Sequence, residues 1–137
     1  MATRICGLVL ALWAALLPAW AATPAELRDE YATKAGKPPS AERGQQFFVQ
    51  KFGRDFENCA ECHGAVPLKP GKDLASNKTI APLAPAANPA RLTDRQRVEY
   101  MFRINCKDVV GRECSAQEKA DLLAWLRGLP WPVAVVV

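Results

Sequence analysis

The chain has 137 residues, half of them hydrophobic, with 18 Lys and Arg against 14 Asp and Glu, a single His and a net charge of +4. That length suits one domain. A balance this mild excludes the dense basic surface that nucleic-acid binding requires and does not single out a membrane surface.

Residues 1–21 carry one charge, Arg4, then an apolar run from Leu8 to Leu17, then Pro18-Ala19-Trp20-Ala21. This is the layout of a secretory signal peptide cut after a small-x-small site. The apolar run is short for a bilayer span, with an uncleaved anchor as the alternative reading. Cys6 would leave with the leader, so four cysteines remain in a single expected domain over residues 22–137. Loss of Arg4 leaves 17 basic against 14 acidic side chains, or +3. Export places the chain in an oxidising compartment, where a structural disulfide is permitted.

Thr23-Pro24-Ala25-Glu26 predicts a helix start, with Thr23 as cap, proline at the first helical position and Glu26 reaching back to the cap amide. This helix runs to about Lys34 and is broken by Gly36, Pro38 and Pro39. Ser40 caps a second helix that passes through Gly44, Phe47 and Phe48 to Phe52. Gly44 and Phe48 share one face. Ordinary core packing accounts for them, and the sharper reading is a bare glycine that admits a crossing helix while the aromatic fills space beside a cofactor.

Cys59-Ala60-Glu61-Cys62-His63 carries the chemistry. Two thiols at this spacing can add to the two vinyl groups of one porphyrin, and the adjoining imidazole then lies under the iron, so the motif points to covalently attached haem c. A redox dithiol would sit at a strand-to-helix junction, and no alternating strand pattern flanks these residues. A zinc site would have to recruit Cys106 and Cys114, which are too far apart for a knuckle. His63 is the only histidine, so the second axial position falls to methionine, to an unusual ligand or to none.

From His63 to Arg91 the chain contains Pro67, Pro70, Pro82, Pro85 and Pro89 and no sustained period, which predicts an irregular segment wrapped around the haem. Ile80, Leu83 and Leu92 are the candidates for packing on the porphyrin. Lys69, Lys72 and Lys78 read first as solvated surface charges, with steering of an acidic redox partner as the alternative.

Thr93-Asp94-Arg95-Gln96 is a capping box that opens a helix through Val98, Met101 and Phe102 to about Asn105. Met101 is a candidate sixth ligand, although methionine on such a helix commonly fills core gaps. Asn105, one turn further on, is either a helix C-cap or a second candidate ligand. A disulfide between Cys106 and Cys114 would contribute about 2.5 kcal/mol and pin the chain beside it. Ser115-Ala116-Gln117-Glu118 opens the last helix, with Leu122, Leu123, Trp125 and Leu126 on its apolar side and Gly128 and Pro130 as its stop. The pattern contains no convincing strand, so the fold class is all-α.

Asn105-Cys106, Gly111-Arg112-Glu113-Cys114 and the run Glu118 to Leu126 closely resemble the sphaeroides haem protein family of class I cytochromes c. Ile80 to Pro85, Arg97-Val98-Glu99 and Glu42-Arg43-Gly44 are similar to the same family. The resemblance implies a class I cytochrome c fold of short helices around one haem. It also implies His63 below the iron, Asn105 above it in the oxidised state, and a Cys106 to Cys114 disulfide. On reduction the asparagine would leave and open the ferrous iron to O2, NO or CO. Electron exchange with a dihaem cytochrome c and a membrane cytochrome b is a further implication.

The expected function is therefore periplasmic electron transfer with a gas-binding ferrous haem, with oxygen or nitric oxide chemistry as its enzymatic extension. The alternatives are a plain carrier closed by His63 and Met101, and a gas sensor or scavenger.

Overall fold

The structure, a computed structural model, describes residues 21–130. The expected leader lies outside them, Ala21 excepted, as does the ending 131–137. Five helices, α1 (Pro24–Ala35), α2 (Ala41–Val49), α3 (Ala60–His63), α4 (Arg95–Asn105) and α5 (Ala116–Gly128), account for most of the regular structure. A π-helical turn, Cys106–Val110, continues α4.

Local chemistry sets most of these ends. Thr23 and Glu26 form the expected reciprocal cap on α1, which closes at Gly36 in the left-handed region. Ser115 and Glu118 do the same for α5. The cap of α4 differs from the expected box. Asp94, not Thr93, accepts from the Arg97 amide at 3.0 Å. Thr93 is engaged otherwise, its hydroxyl donating to the Ala90 carbonyl and its own carbonyl accepting from the Ala22 amide. Helix α2 also stops earlier than the pattern suggests, at Val49, because the Phe48 carbonyl accepts from the Cys59 amide and Phe52 pairs back to Glu57.

The core is assembled on α5, which packs against both α1 and α2. Gly44 makes the second contact possible. A methyl group at that position would overlap the Asp121 carbonyl and lie 2.9 Å from the Leu122 amide nitrogen. Only a residue without Cβ lets the two backbones approach this closely. On the same face of α2, buried Phe48 meets Trp125 of α5 at a ring separation of 4.8 Å. Burying a side chain of this size contributes about 1.5–3 kcal/mol.

The close crossing carries the Asp121 carboxylate into the interface, where only 4% of the residue remains exposed. It accepts from Nε and a terminal nitrogen of Arg43 at 2.7 and 2.9 Å, from the Ser40 amide at 2.6 Å and from Gln117 at 2.9 Å. Burial pushes this carboxyl up, but the Arg43 fork, the Ser40 amide and Gln117 outweigh it and hold it below the usual carboxylate range. On the other side of α5, Tyr31 of α1 and Phe102 of α4 meet edge to face at 5.8 Å. The Lys119 ammonium rests against both rings and pairs with Glu99 at 3.2 Å, while Arg95 binds Glu30.

A small antiparallel hairpin, β1 (Gly71–Lys72) with β2 (Thr79–Ile80), interrupts the long connection between α3 and α4, in the register Gly71 to Ile80 and Lys72 to Thr79. The amino-acid pattern carries no strand signal here. Two residues per strand are too few to show alternation, and a tertiary contact of Gly71, described below, fixes the hairpin.

Two expected outcomes follow from the α2–α5 contact. Gly44→Ala destabilises the folded chain by about 3 kcal/mol, because helix backbones must separate to admit the methyl group; urea unfolding of the two proteins measures it. Asp121→Asn costs about 2 kcal/mol at pH 7. Because the folded Asp121 pKa is depressed, its stabilisation is full above the unfolded value of about 3.9 and fades as pH falls below that. The stability gap between wild type and Asp121→Asn should therefore narrow below about pH 4.

Candidate haem site

The motif Cys59 to His63 forms a single helical turn whose start is built locally. The Asn58 side-chain oxygen accepts from the Glu61 amide at 3.1 Å, and the Glu61 carboxylate accepts from the Glu57 amide at 2.8 Å. These two contacts span Glu57 to Glu61 and are local in sequence, although no expected helix start lies there. Gly64, at φ +77°, ends the turn. The amide of Cys59 donates to the Phe48 carbonyl at 3.2 Å, which ties the motif to the end of α2. The Phe48 ring lies 6.2 Å from the His63 ring, centroid to centroid.

Gly71 is a site residue that composition alone does not reveal. A methyl group there would overlap the Cys62 carbonyl and stand 3.0 Å from the His63 Cα, so β1 lies directly on the backbone of the motif. Its partner in register is Ile80. The second layer of the loop is fixed by buried Pro67, whose carbonyl accepts from the amides of Leu83 and Ala84 at 3.2 and 3.1 Å. Leu92 adopts φ +63°, a left-handed conformation that costs a branched side chain on the order of 1 kcal/mol, and packs against both apolar clusters of the protein.

The expected site residues fall as follows. Cys59, Leu83 and Leu92 converge on one apolar cluster built on Phe47, Phe48, Trp125 and the Cys106–Cys114 pair. Phe102 and Val110 join the same cluster and were not expected there. Ile80 reaches the motif through Gly71. Met101 is half-buried on α4, outside the residues grouped in either cluster. Asn105 is half-buried, keeps helical angles (φ −66°, ψ −40°) into the π-helical turn and caps nothing with its side chain. Cys106 and Cys114 are joined by a disulfide, with Cα atoms 5.6 Å apart. The π-helical turn closes at Gly111, whose amide returns to the Cys106 carbonyl, and the Arg54 side chain crosses to the Asp108 carbonyl at 3.2 Å.

These groups fit a porphyrin better than the other chemistries open to a Cys-x-x-Cys pair. Cys59 and Cys62 are both free and half-buried. Burial pushes the Cys59 thiol up to about 11, opposed by its own backbone and reinforced by Cys62, so it is protonated at neutral pH, the reverse of a reactive redox dithiol. Among the described residues no group of three or more His, Cys, Asp or Glu side chains could hold a metal ion, as a zinc site would require. Burial, and after it the Arg91 cation, hold the His63 imidazole below its usual range against the pull of Asp73, leaving it neutral and able to donate a nitrogen lone pair. Half-buried Phe52, Leu83, Leu92, Phe102 and Val110 supply apolar surface on the cluster that Cys59 joins, as a planar macrocycle requires.

Comparison with known proteins agrees with this chemistry. Residues 34–126 match a family described as a domain of unknown function (DUF1924). The chain is 48% identical over 107 residues to the cytochrome c-type protein SHP of Cereibacter sphaeroides, covering 76% of this chain and 82% of that protein. It is 41% identical over 92 residues to cytochrome c'' of Methylophilus methylotrophus, covering 64% of this chain and 63% of that protein. Among solved structures, oxidised SHP, described as an oxygen-binding cytochrome c, superposes with a TM-score of 0.74 at 46% identity, over 77% of this chain and 96% of that one. Oxidised cytochrome c'' follows with 0.71 at 36% identity, over 77% and 93%. A solution structure of cytochrome c'', described as bearing on haem-ligand detachment, gives 0.69 at 36% identity over the same shares. The chain thus belongs to the SHP family of c-type cytochromes, with its class I fold and its covalently attached haem c.

Proposed function

We propose that this protein is a periplasmic electron-transfer cytochrome in which Cys59 and Cys62 hold the haem, His63 binds the iron from below, and Asn105 binds it from above until reduction releases it. The haem supplies a one-electron couple and, when ferrous, a coordination position that O2, NO or CO can take.

The setting of Asn105 carries the reading. It ends α4 with a side chain engaged in no cap, one residue before a cysteine whose disulfide fixes the backbone. The carboxamide is a neutral, hard oxygen donor, better matched to ferric than to ferrous iron. Its backbone position is held by Cys106–Cys114 and the Gly111 closure, while the side chain keeps its own rotatable bonds. A weak donor on a fixed anchor can leave and return without rearranging the helix. The oxygen binding of SHP and the ligand detachment studied in cytochrome c'' support the same behaviour. Electrons would arrive from partners such as a dihaem cytochrome c or a membrane cytochrome b.

Carbon monoxide added to the reduced protein should shift the Soret band on mixing. Asn105→Ala should convert the ferric spectrum from low-spin to almost wholly high-spin, whereas Met101→Leu should leave it unchanged and alter carbon monoxide affinity by less than about threefold, well under 1 kcal/mol. The reverse pattern, with Met101→Leu abolishing the low-spin form and wild type inert to carbon monoxide, would establish a closed His63 and Met101 carrier instead.

A further inference from the structure

Arg91 occupies an unusual setting for a cation. Its Nε donates to the Pro82 carbonyl at 3.1 Å and a terminal nitrogen donates to the Ala81 carbonyl at 3.0 Å. Asn88 shares the Pro82 carbonyl at 3.3 Å. Both acceptors are neutral. Arg28, Arg43, Arg95 and Arg112 each pair with a carboxylate, and Arg54, Arg97, Arg103 and Arg127, which do not, are exposed; among the described residues Arg91 is the half-buried arginine without a carboxylate partner. Of its five N–H donors, these bonds use two.

The guanidinium is half-buried, and withdrawal from water works against its charge, with Arg97 adding repulsion. A partly desolvated cation without an anion is unfavourable. Its location is equally specific. The carbonyls it grips adjoin Leu83, which packs on the same cluster as Cys59, and Ala81 follows Ile80, whose strand partner Gly71 lies against the Cys62 carbonyl and the His63 Cα. Asp73, an acid of the same connection, is occupied by the amides of Ala75 and Ser76.

Haem carries two propionate carboxylates. We propose that Arg91 binds one of them, making it a positioning residue that locks the porphyrin to the segment Ala81 to Leu83 and keeps a positive charge beside the iron. The proposal rests on the haem site described above and not on Asn105 as its upper ligand. A positive charge held near the haem favours the ferrous form, because oxidation adds a like charge at the iron.

Holoproteins of the wild type, Arg91→Gln and Arg91→Lys test it by two readings: the ferrous-to-ferric ratio at fixed potential, and the propionate bending band in the resonance Raman spectrum. Arg91→Gln should lower the ratio about tenfold, ~59 mV for a one-electron couple, and move the band. Arg91→Lys should hold the ratio within about threefold and still move the band, because an ammonium cannot replace the guanidinium fork. An unmoved band in both variants overturns the proposal, whatever the ratio does, and marks Arg91 as a brace for the loop. If Arg91→Gln does not yield folded holoprotein, the band of Arg91→Lys decides alone, and no shift overturns the proposal. The haem site itself is tested separately: haem that stays covalently attached after Cys59→Ala and Cys62→Ala together would refute that site.

Discussion

The approach of α2 to α5 at Gly44 is the constraint on which the rest of the architecture depends. Where the Asp121 carbonyl meets a residue without a side chain, the helices cross at backbone contact, and their flanking residues acquire fixed partners. Phe48 reaches Trp125 on one side and the ring of His63 on the other. The same closeness buries the Asp121 carboxylate, which Arg43, Ser40 and Gln117 then satisfy. The end of α2 is in turn the ledge to which the haem motif is tied, through Phe48 and Cys59.

Beyond that ledge the chain folds with little help from regular structure. The stretch between α3 and α4 is held by a few specific polar and steric contacts: the Pro67 carbonyl with two amides, Gly71 against the Cys62 carbonyl, and Arg91 on the Ala81 and Pro82 carbonyls. Each joins separate parts of the connection through a backbone carbonyl. An irregular segment of this length is stable because its buried backbone atoms find such partners and its apolar side chains find the cluster around Phe48 and Trp125.

The end of α4 is built differently. There α4 runs without interruption into a π-helical turn, and a disulfide closes the loop that follows. A π-helical turn widens the backbone and often accompanies a functional position. Rigidity on both flanks of Asn105, with a side chain left out of any cap, is the arrangement that a reversible ligand of the proposed kind needs. The cluster of Tyr31, Phe102, Glu99 and Lys119 ties the middle of α4 to α1 and α5.

Helix starts at Thr23, Ser40 and Ser115 and the haem motif were legible in the amino-acid order, because each depends on neighbours within one turn, whereas at Gly44 a close crossing was one of two readings and packing against Asp121 decided it. The true cap of α4, the early end of α2, the hairpin at Gly71, and the roles of Phe102 and Val110 were not legible. Those features are settled by groups far away in the chain, such as Ala22 on Thr93 and Cys59 on Phe48. Local hydrogen bonding and side-chain volume are encoded within a few residues. Competition among distant partners for the same carbonyl or amide is resolved only when the whole chain is packed.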